Sequence, residues 1–125
     1  MSAAKLLLVE DDPNVREYMV DRLQDWGLTV AACANGAEAL QAATDRGRPF
    51  DFCLFDYTMP GMTGIELARQ LRVTDPDARP VLYTGYGDEL SPEALRAAGI
   101  REVLRKPVDL ERLRGLIDEA LASRK

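Results

Sequence analysis

The chain has 125 residues, 46% of them hydrophobic, which is enough for one domain with its own core but not for two. Its formal net charge of −5, from 21 acidic and 16 basic residues, argues against a nucleic-acid-binding surface or a surface for anionic membranes. Histidine is absent, which excludes Ser-His and Cys-His nucleophile systems, removes the commonest zinc ligand and bars a phosphohistidine on this chain.

The chain shows no pattern typical of a membrane segment or an export signal. No apolar stretch approaches the roughly 20 residues that a bilayer span needs, and the first residues lead directly into an apolar strand pattern. Cys33 and Cys53 lie in apolar segments, which indicates core side chains rather than a disulfide or a metal pair. We therefore predict a cytoplasmic chain that forms one domain over residues 1–125, with no nucleic-acid or membrane partner.

The predicted elements begin with a strand over residues 5–9 and an amphipathic helix. Asp12 as N-cap and Pro13 in the first turn mark the start of this helix, and Gly27 marks its end. We assign Asp12 to capping rather than to metal binding, because an aspartate before a proline often caps a helix. The apolar face of the helix consists of Val15, Met19, Leu23 and Trp26.

The other predicted strands and helices alternate in the same way. The strands are short apolar runs that cover residues 28–32, 51–55, 81–84 and 102–104. The helices begin at Asn35, at Thr63 with Glu66 in a capping box, at Ser91-Pro92 and at Asp109. This alternation predicts an α/β fold in which an open five-stranded parallel sheet carries helices on both faces.

Polar residues collect where these strands end. Glu10 and Asp11 follow the first strand, Asp56 the third and Lys106 the fifth, while Thr84 ends the fourth. Open parallel sheets bind ligands at the carboxyl ends of their strands. Carboxylates about 4 Å apart repel by about 4 kcal/mol at an effective dielectric constant of about 20, so this cluster requires a cation, and its oxygen ligands favour Mg²⁺.

Asp56 is the candidate nucleophile of this cluster. A carboxylate beside Mg²⁺ stays ionised and attacks phosphorus, while a lysine such as Lys106 and a hydroxyl such as that of Thr84 neutralise the phosphoryl oxygens. Taken singly, Thr84 as a capping residue and Lys106 as a solvated lysine are the commoner roles. The functional hypothesis therefore depends on these residues occurring together.

Residues 6–13 (LLLVEDDP) and 56–64 (DYTMPGMTG), with Thr84-Gly85 and Lys106-Pro107, resemble the receiver domains of bacterial two-component response regulators. The resemblance covers nearly the whole chain, and it is specific because each motif stands at the end of a different strand. It implies a flavodoxin-like (βα)5 fold with strand order 2-1-3-4-5. Residues 84–88 and 99–108 are most similar to receivers attached to hybrid sensor histidine kinases.

The resemblance also implies a phosphorylation site and its metal ligands. Asp56 is the residue that such a domain phosphorylates, and Glu10 and Asp11 are its acidic pair. The backbone carbonyl of Thr58 is implied as a further Mg²⁺ ligand, and the Thr58 side chain is expected to tune the hydrolysis of the phosphoaspartate.

Further roles follow from the same resemblance. Thr84 is the switch hydroxyl and Lys106 the phosphate-sensing cation, and the Lys106-Pro107 peptide bond is expected to be cis. Tyr86 is expected to tune hydrolysis by shielding the acyl phosphate from water. One position departs from the family pattern, because Val103 stands where these domains usually have an aromatic switch residue.

The implied function is that of a phospho-acceptor. A sensor histidine kinase or a histidine phosphotransfer protein donates the phosphoryl group to Asp56 in a Mg²⁺-dependent reaction, and phosphorylation switches protein interactions. Such a domain is a stoichiometric acceptor that catalyses its own phosphorylation and dephosphorylation, so we do not class it as an enzyme. The other predicted partner is a second copy of the chain, in a homodimer formed through the fourth helix, the fifth strand and the fifth helix.

Two other hypotheses share parts of the pattern. A Mg²⁺-dependent phosphohydrolase of the haloacid-dehalogenase type also uses an aspartate, a threonine and a lysine, but its Asp-x-Asp motif lies on the first strand, where this chain has Glu-Asp-Asp-Pro. A binding module that signals without phosphate would keep the fold. The complete set of acidic, threonine and lysine residues argues against that module.

Overall fold

The computed structural model describes residues 4–47, 49–85 and 90–123, in which strands and helices alternate. The strands are β1 (Lys5–Val9), β2 (Thr29–Cys33), β3 (Phe52–Asp56), β4 (Val81–Thr84) and β5 (Glu102–Arg105). The helices are α1 (Pro13–Asp25), α2 (Gly36–Arg46), α3 (Gly64–Thr74), α4 (Pro92–Ala97) and α5 (Leu110–Ser123).

The strands form a single sheet of order β2-β1-β3-β4-β5, and every neighbouring pair is parallel. The predicted fold class and strand order are therefore confirmed. β2 lies on one side of β1, and β3, β4 and β5 follow in order on the other side. The reversal falls between β1 and β3, which places the residues after these two strands side by side.

Each face of the sheet carries its own core, as the alternation of side chains along β1 shows. Leu6 and Leu8 pack on the face that α1 and α5 cover, whereas Leu7 and Val9 pack on the face of α2 and α3. All four leucine and valine side chains have 0% exposure. Cys33 and Cys53 are buried and free, which confirms their assignment as core side chains.

The predicted helix caps are present. Asp12 caps α1, since its Oδ1 accepts hydrogen bonds from the backbone N–H groups of Asn14, at 2.9 Å, and Val15, at 3.4 Å. Thr63 and Glu66 form the reciprocal capping box at the start of α3. The carboxylate of Asp12 thus caps the N-terminus of α1, as we predicted from its position before Pro13.

Two strands begin one residue later than predicted, at Thr29 and Phe52. Leu28 belongs to the turn that follows α1, because its N–H donates to the carbonyl of Leu23 at 3.3 Å while Gly27 adopts a φ of +83°. The shift in β3 has a consequence for the site. Asp56 is the last residue of the strand, paired with Tyr83, rather than a residue that follows it.

Gly64 fixes how closely α3 approaches the sheet. A Cβ atom at this position would lie 2.5 Å from the carbonyl oxygen of Asp56 and 2.5 Å from Leu82 Cδ1. We expect Gly64→Ala to lower the free energy of unfolding by about 1–3 kcal/mol, because this contact overpacks the core. Urea denaturation measures the change.

The matched control is Gly115→Ala in α5, where a Cβ atom would meet nothing within 4 Å. Alanine favours a helix interior over glycine by about 1 kcal/mol, so this variant should be more stable than the parent. A Gly64→Ala domain as stable as the parent would contradict the close packing of α3 on β3.

Candidate functional site

The predicted polar residues meet at one edge of the sheet. The carboxyl ends of β1, β3, β4 and β5 lie next to each other in the strand order. Glu10 and Asp11 leave the end of β1, Asp56 and Thr84 end β3 and β4, and Lys106 follows β5. The edge therefore carries three carboxylates, a hydroxyl and an ammonium, which come from four different strands.

Glu10, Asp11 and Asp56 form a compact acidic cluster. One carboxylate oxygen of each residue lies within 4.8 Å of those of the other two. Glu10 is 1% exposed and Asp56 3% exposed, whereas Asp11 is exposed to solvent. Carboxylates at such separations repel strongly, and an all-oxygen set with one open side fits a hard cation that keeps some of its water ligands.

Lys106 is the cationic side chain at this cluster. Its Nζ lies 3.3 Å from Asp56 Oδ2 and 3.8 Å from Glu10 Oε1, and its side chain is 35% exposed. Its backbone N–H donates to the carbonyl of Thr84 at 2.8 Å, which ties the chain after β5 to the end of β4. Lys106 thus lies within ion-pair distance of both buried carboxylates, while part of its side chain is exposed.

The ionisation of Asp56 is unfavourable without a metal ion. Burial raises the pKa of the Asp56 carboxyl to about 7, and the charge of Glu10 acts in the same direction, while Lys106 opposes both. A second cation at the cluster would favour the ionised form, since an opposite charge stabilises a carboxylate.

Asp56→Asn is expected to stabilise the Mg²⁺-free domain, and to do so more at high pH. As the pH rises from about 4 to about 7, the unfolded chain releases the Asp56 proton before the folded one, so the free energy of unfolding falls; the full penalty applies above about pH 7. Asparagine removes this penalty. The gain at about pH 8 should exceed the gain at about pH 5 by about 2–3 kcal/mol.

Urea unfolding at the two pH values, in buffer with a metal chelator, measures this difference. An equal change in stability at both pH values would show that the penalty on ionised Asp56 is absent.

Glu10 makes three hydrogen bonds that the sequence did not predict. Its Oε2 accepts from the N–H of Asp12 at 2.9 Å, and its Oε1 accepts from the hydroxyl of Tyr83 at 2.6 Å. The guanidinium of Arg16 donates to the backbone carbonyl of Glu10 at 2.8 Å. Burial and the charge of Glu10 raise the pKa of Tyr83, so the hydroxyl remains a donor.

Tyr83 was missed because a tyrosine in an apolar strand is first expected to contribute packing area to the core, and the strand pattern does not show which group its hydroxyl contacts. One signal was available in the sequence. The neighbouring Thr84 was assigned to the site, and a buried tyrosine hydroxyl next to a site usually finds a hydrogen-bond partner.

The other predicted site residues are placed as follows. Thr84 is fully buried at the end of β4, and the N–H of Thr58 donates to Asp56 Oδ1 at 3.3 Å. The Lys106-Pro107 peptide bond is cis, the geometry expected from the resemblance. Tyr86 lies outside the described residues, so its role in tuning hydrolysis stays a prediction.

Val103 occupies the position where an aromatic switch residue was expected. It pairs with Leu82 across β4 and β5 and packs, partly buried, against the core on the α2 and α3 face. Tyr83 and Leu104, its neighbours in the two strands, belong to the opposite core. The Tyr83 ring therefore does not replace the missing aromatic group.

The helices within residues 4–47, 49–85 and 90–123 include none with the length and apolar character that a membrane span requires.

Residues 6–118 match the family model of the response regulator receiver domain. The chain is 37% identical to part of the sensor kinase CckA of Brucella abortus, over 95% of its own length and 13% of the kinase. It is 36% identical to the response regulator receiver protein CpdR of the same organism, over 94% of its own length and 96% of that protein. The chain spans 13–45% of the length of CckA and three other curated relatives.

The structure is similar to the solved structure of the response regulator protein TrrA of Thermotoga maritima, which was determined in complex with Mg²⁺-BeF. The TM-score is 0.80 at 29% identity, with 94% of this chain and 98% of that chain covered.

Proposed function

The chain belongs to the response regulator receiver domain family, and from this premise we propose that Asp56 accepts a phosphoryl group in a Mg²⁺-dependent reaction. The donor is a phosphohistidine of a partner, either a sensor histidine kinase or a histidine phosphotransfer protein. The phosphohistidine must lie outside these 125 residues, because they contain no histidine. Phosphorylation then switches the interactions of the domain with other proteins.

One observation carries the proposal: three carboxylates and one lysine converge on a single sheet edge. The acidic oxygens lie within 4.8 Å of one another, and Lys106 Nζ lies 3.3 Å from Asp56 Oδ2. An aspartate that served only the fold would gain nothing from two neighbouring carboxylates. A bound cation would offset the repulsion between the three carboxylates and favour their ionised forms.

In the proposed step, a carboxylate oxygen of Asp56 attacks the phosphorus atom. A P–O bond forms, the P–N bond of the phosphohistidine breaks, and the imidazole leaves with the electron pair of that bond. The Lys106 ammonium forms an ion pair with one oxygen of the transferred phosphoryl group, and the Thr84 hydroxyl donates a hydrogen bond to another. The buried positions of Asp56 and Thr84 limit access of water to the acyl phosphate.

The residues that would hold Mg²⁺ are Glu10, Asp11, Asp56 and the carbonyl of Thr58. Bound there, the ion supplies positive charge that neutralises the phosphoryl oxygens and keeps Asp56 ionised. Among the three carboxylates of this set, that of Asp11 is exposed, and those of Glu10 and Asp56 are buried.

The domain acts in this proposal as a stoichiometric acceptor and not as a turnover enzyme. Asp56 forms one covalent adduct, and its hydrolysis, tuned by Thr58 and Tyr86, resets the site. A homodimer through α4, β5 and α5 and a cytoplasmic location remain predictions. Both predictions are compatible with a receiver domain that forms part of a longer signalling protein. The sensor kinase CckA is such a protein, and the chain covers 13% of its length.

Intact-mass spectrometry with Mg²⁺ and acetyl phosphate tests the proposal. We expect one phosphoryl adduct on the parent domain, and none on Asp56→Asn or in the presence of a metal chelator. Continued release of phosphate without an adduct would favour the phosphohydrolase. The absence of both adduct and turnover would favour the module that signals without phosphate.

A further inference from the structure

Tyr83 is a buried polar residue that the proposed phosphoryl transfer does not use. It is fully buried in β4, and its hydroxyl donates to Glu10 Oε1 at 2.6 Å. The Nζ of Lys106 lies over the Tyr83 ring, 5.1 Å from its centroid. One side chain therefore contacts an acidic residue of the site through its hydroxyl and the site's cation through its ring.

The hydroxyl restricts where the Glu10 carboxylate points. Glu10 accepts one hydrogen bond on each oxygen, from the N–H of Asp12 at 2.9 Å and from Tyr83 at 2.6 Å. A glutamate side chain loses considerable rotamer freedom when it is ordered. Two hydrogen bonds at its tip hold it in one orientation, and each oxygen keeps a lone pair for another partner.

Tyr83 and Lys106 compete for the same oxygen. Lys106 Nζ is 3.8 Å from Glu10 Oε1 and 3.3 Å from Asp56 Oδ2, so the ammonium lies between two carboxylates. The hydroxyl bond to Oε1 is short, and a hydrogen bond to an ionised acceptor is about twice as strong as a neutral one. This bond lowers the attraction of Glu10 for the ammonium and leaves Lys106 nearer to Asp56.

Resting on the proposed function above, we propose that Tyr83 is a positioning residue for phosphoryl transfer. Its hydroxyl fixes the Glu10 carboxylate and keeps Lys106 directed at Asp56 and the incoming phosphoryl group. Tyr83→Phe retains the ring under the ammonium and removes only the donor. In this variant Lys106 is expected to move towards Glu10, away from Asp56.

The rate of adduct formation with acetyl phosphate at saturating Mg²⁺ is the first readout. We expect Tyr83→Phe to slow it about tenfold, the effect of losing one hydrogen bond to a charged group, and to weaken Mg²⁺ binding in calorimetric titrations. The control is Tyr18→Phe, which removes the hydroxyl of an exposed tyrosine in α1. This variant should match the parent in the rate of adduct formation and in Mg²⁺ binding. Thermal unfolding establishes that each variant is folded.

A double-mutant cycle with Glu10→Gln separates positioning from packing. A neutral amide attracts Lys106 much less than a carboxylate does, so Tyr83→Phe should change the remaining rate by less than about twofold in the Glu10→Gln background. Equal slowing in both backgrounds would overturn the inference, as would a Tyr83→Phe domain that reacts at the parent rate. A parent domain that forms no adduct would instead refute the proposed function.

Discussion

Lys106→Met is expected to slow the phosphorylation of Asp56 by roughly 100-fold, the cost of removing one preorganised donor to developing negative charge. The ammonium lies 3.3 Å from Asp56 Oδ2, where a phosphoryl group attached to this carboxylate would place its oxygens. No other cationic side chain of the described residues forms an ion pair with Asp56 or Glu10. The rate of adduct formation with acetyl phosphate at saturating Mg²⁺ measures the effect.

The same substitution should also lower stability in metal-free buffer. Glu10 and Asp56 would be left as buried carboxylates without their cation, which we expect to cost about 1–2 kcal/mol, since Lys106 itself is partly solvated. Added Mg²⁺ should recover this stability but not the rate. Recovery of both would mean that the ion alone suffices for the transfer.

Arg79→Met is a matched control, because it removes one positive charge at the amino-terminal end of β4, the edge of the sheet opposite to the site. It should leave the phosphorylation rate unchanged. Lys106→Arg tests geometry rather than charge, and a planar guanidinium is not expected to restore the parent rate.

Asp11→Asn is expected to weaken Mg²⁺ binding by at least about tenfold while leaving the fold intact. Asp11 shares the acidic cluster with Glu10 and Asp56 but is exposed, so its charge contributes to the metal site more than to the core. The free energy of unfolding without metal should change by less than about 0.5 kcal/mol, as for other surface substitutions. Calorimetric titration of Mg²⁺ gives the dissociation constant.

Asp12→Asn provides the control one residue further along the chain. It removes the same charge, but asparagine caps a helix about as well as aspartate, so α1 should keep its N-terminal hydrogen bonds. We expect Mg²⁺ binding to stay within about twofold of the parent, because the Asp12 carboxylate is bonded to the helix end and lies outside the acidic cluster. Equal weakening by both variants would mean that only the total charge matters.

The sequence predicted the elements because their signals are local. The capping box at Thr63 and the cap at Asp12 lie within a few residues of the helices that they start. Polar residues directly after apolar strands predicted which side chains would meet at the sheet edge, since parallel strands bring their carboxyl ends together. The strand order, in contrast, followed only from the resemblance to receiver domains.

The tertiary structure decided which side chains contact each other within that edge. Tyr83 and Glu10 are separated by 73 positions, and nothing in the local pattern of β4 distinguishes a hydrogen-bonded tyrosine from one that only packs. The close approach of Gly64 to the carbonyl of Asp56 is likewise a property of how α3 rests on the sheet. The sequence alone determined the chemical groups and their strand ends, because these depend on short-range patterns; the hydrogen-bond partners depend on distances between strands that only the packed fold establishes.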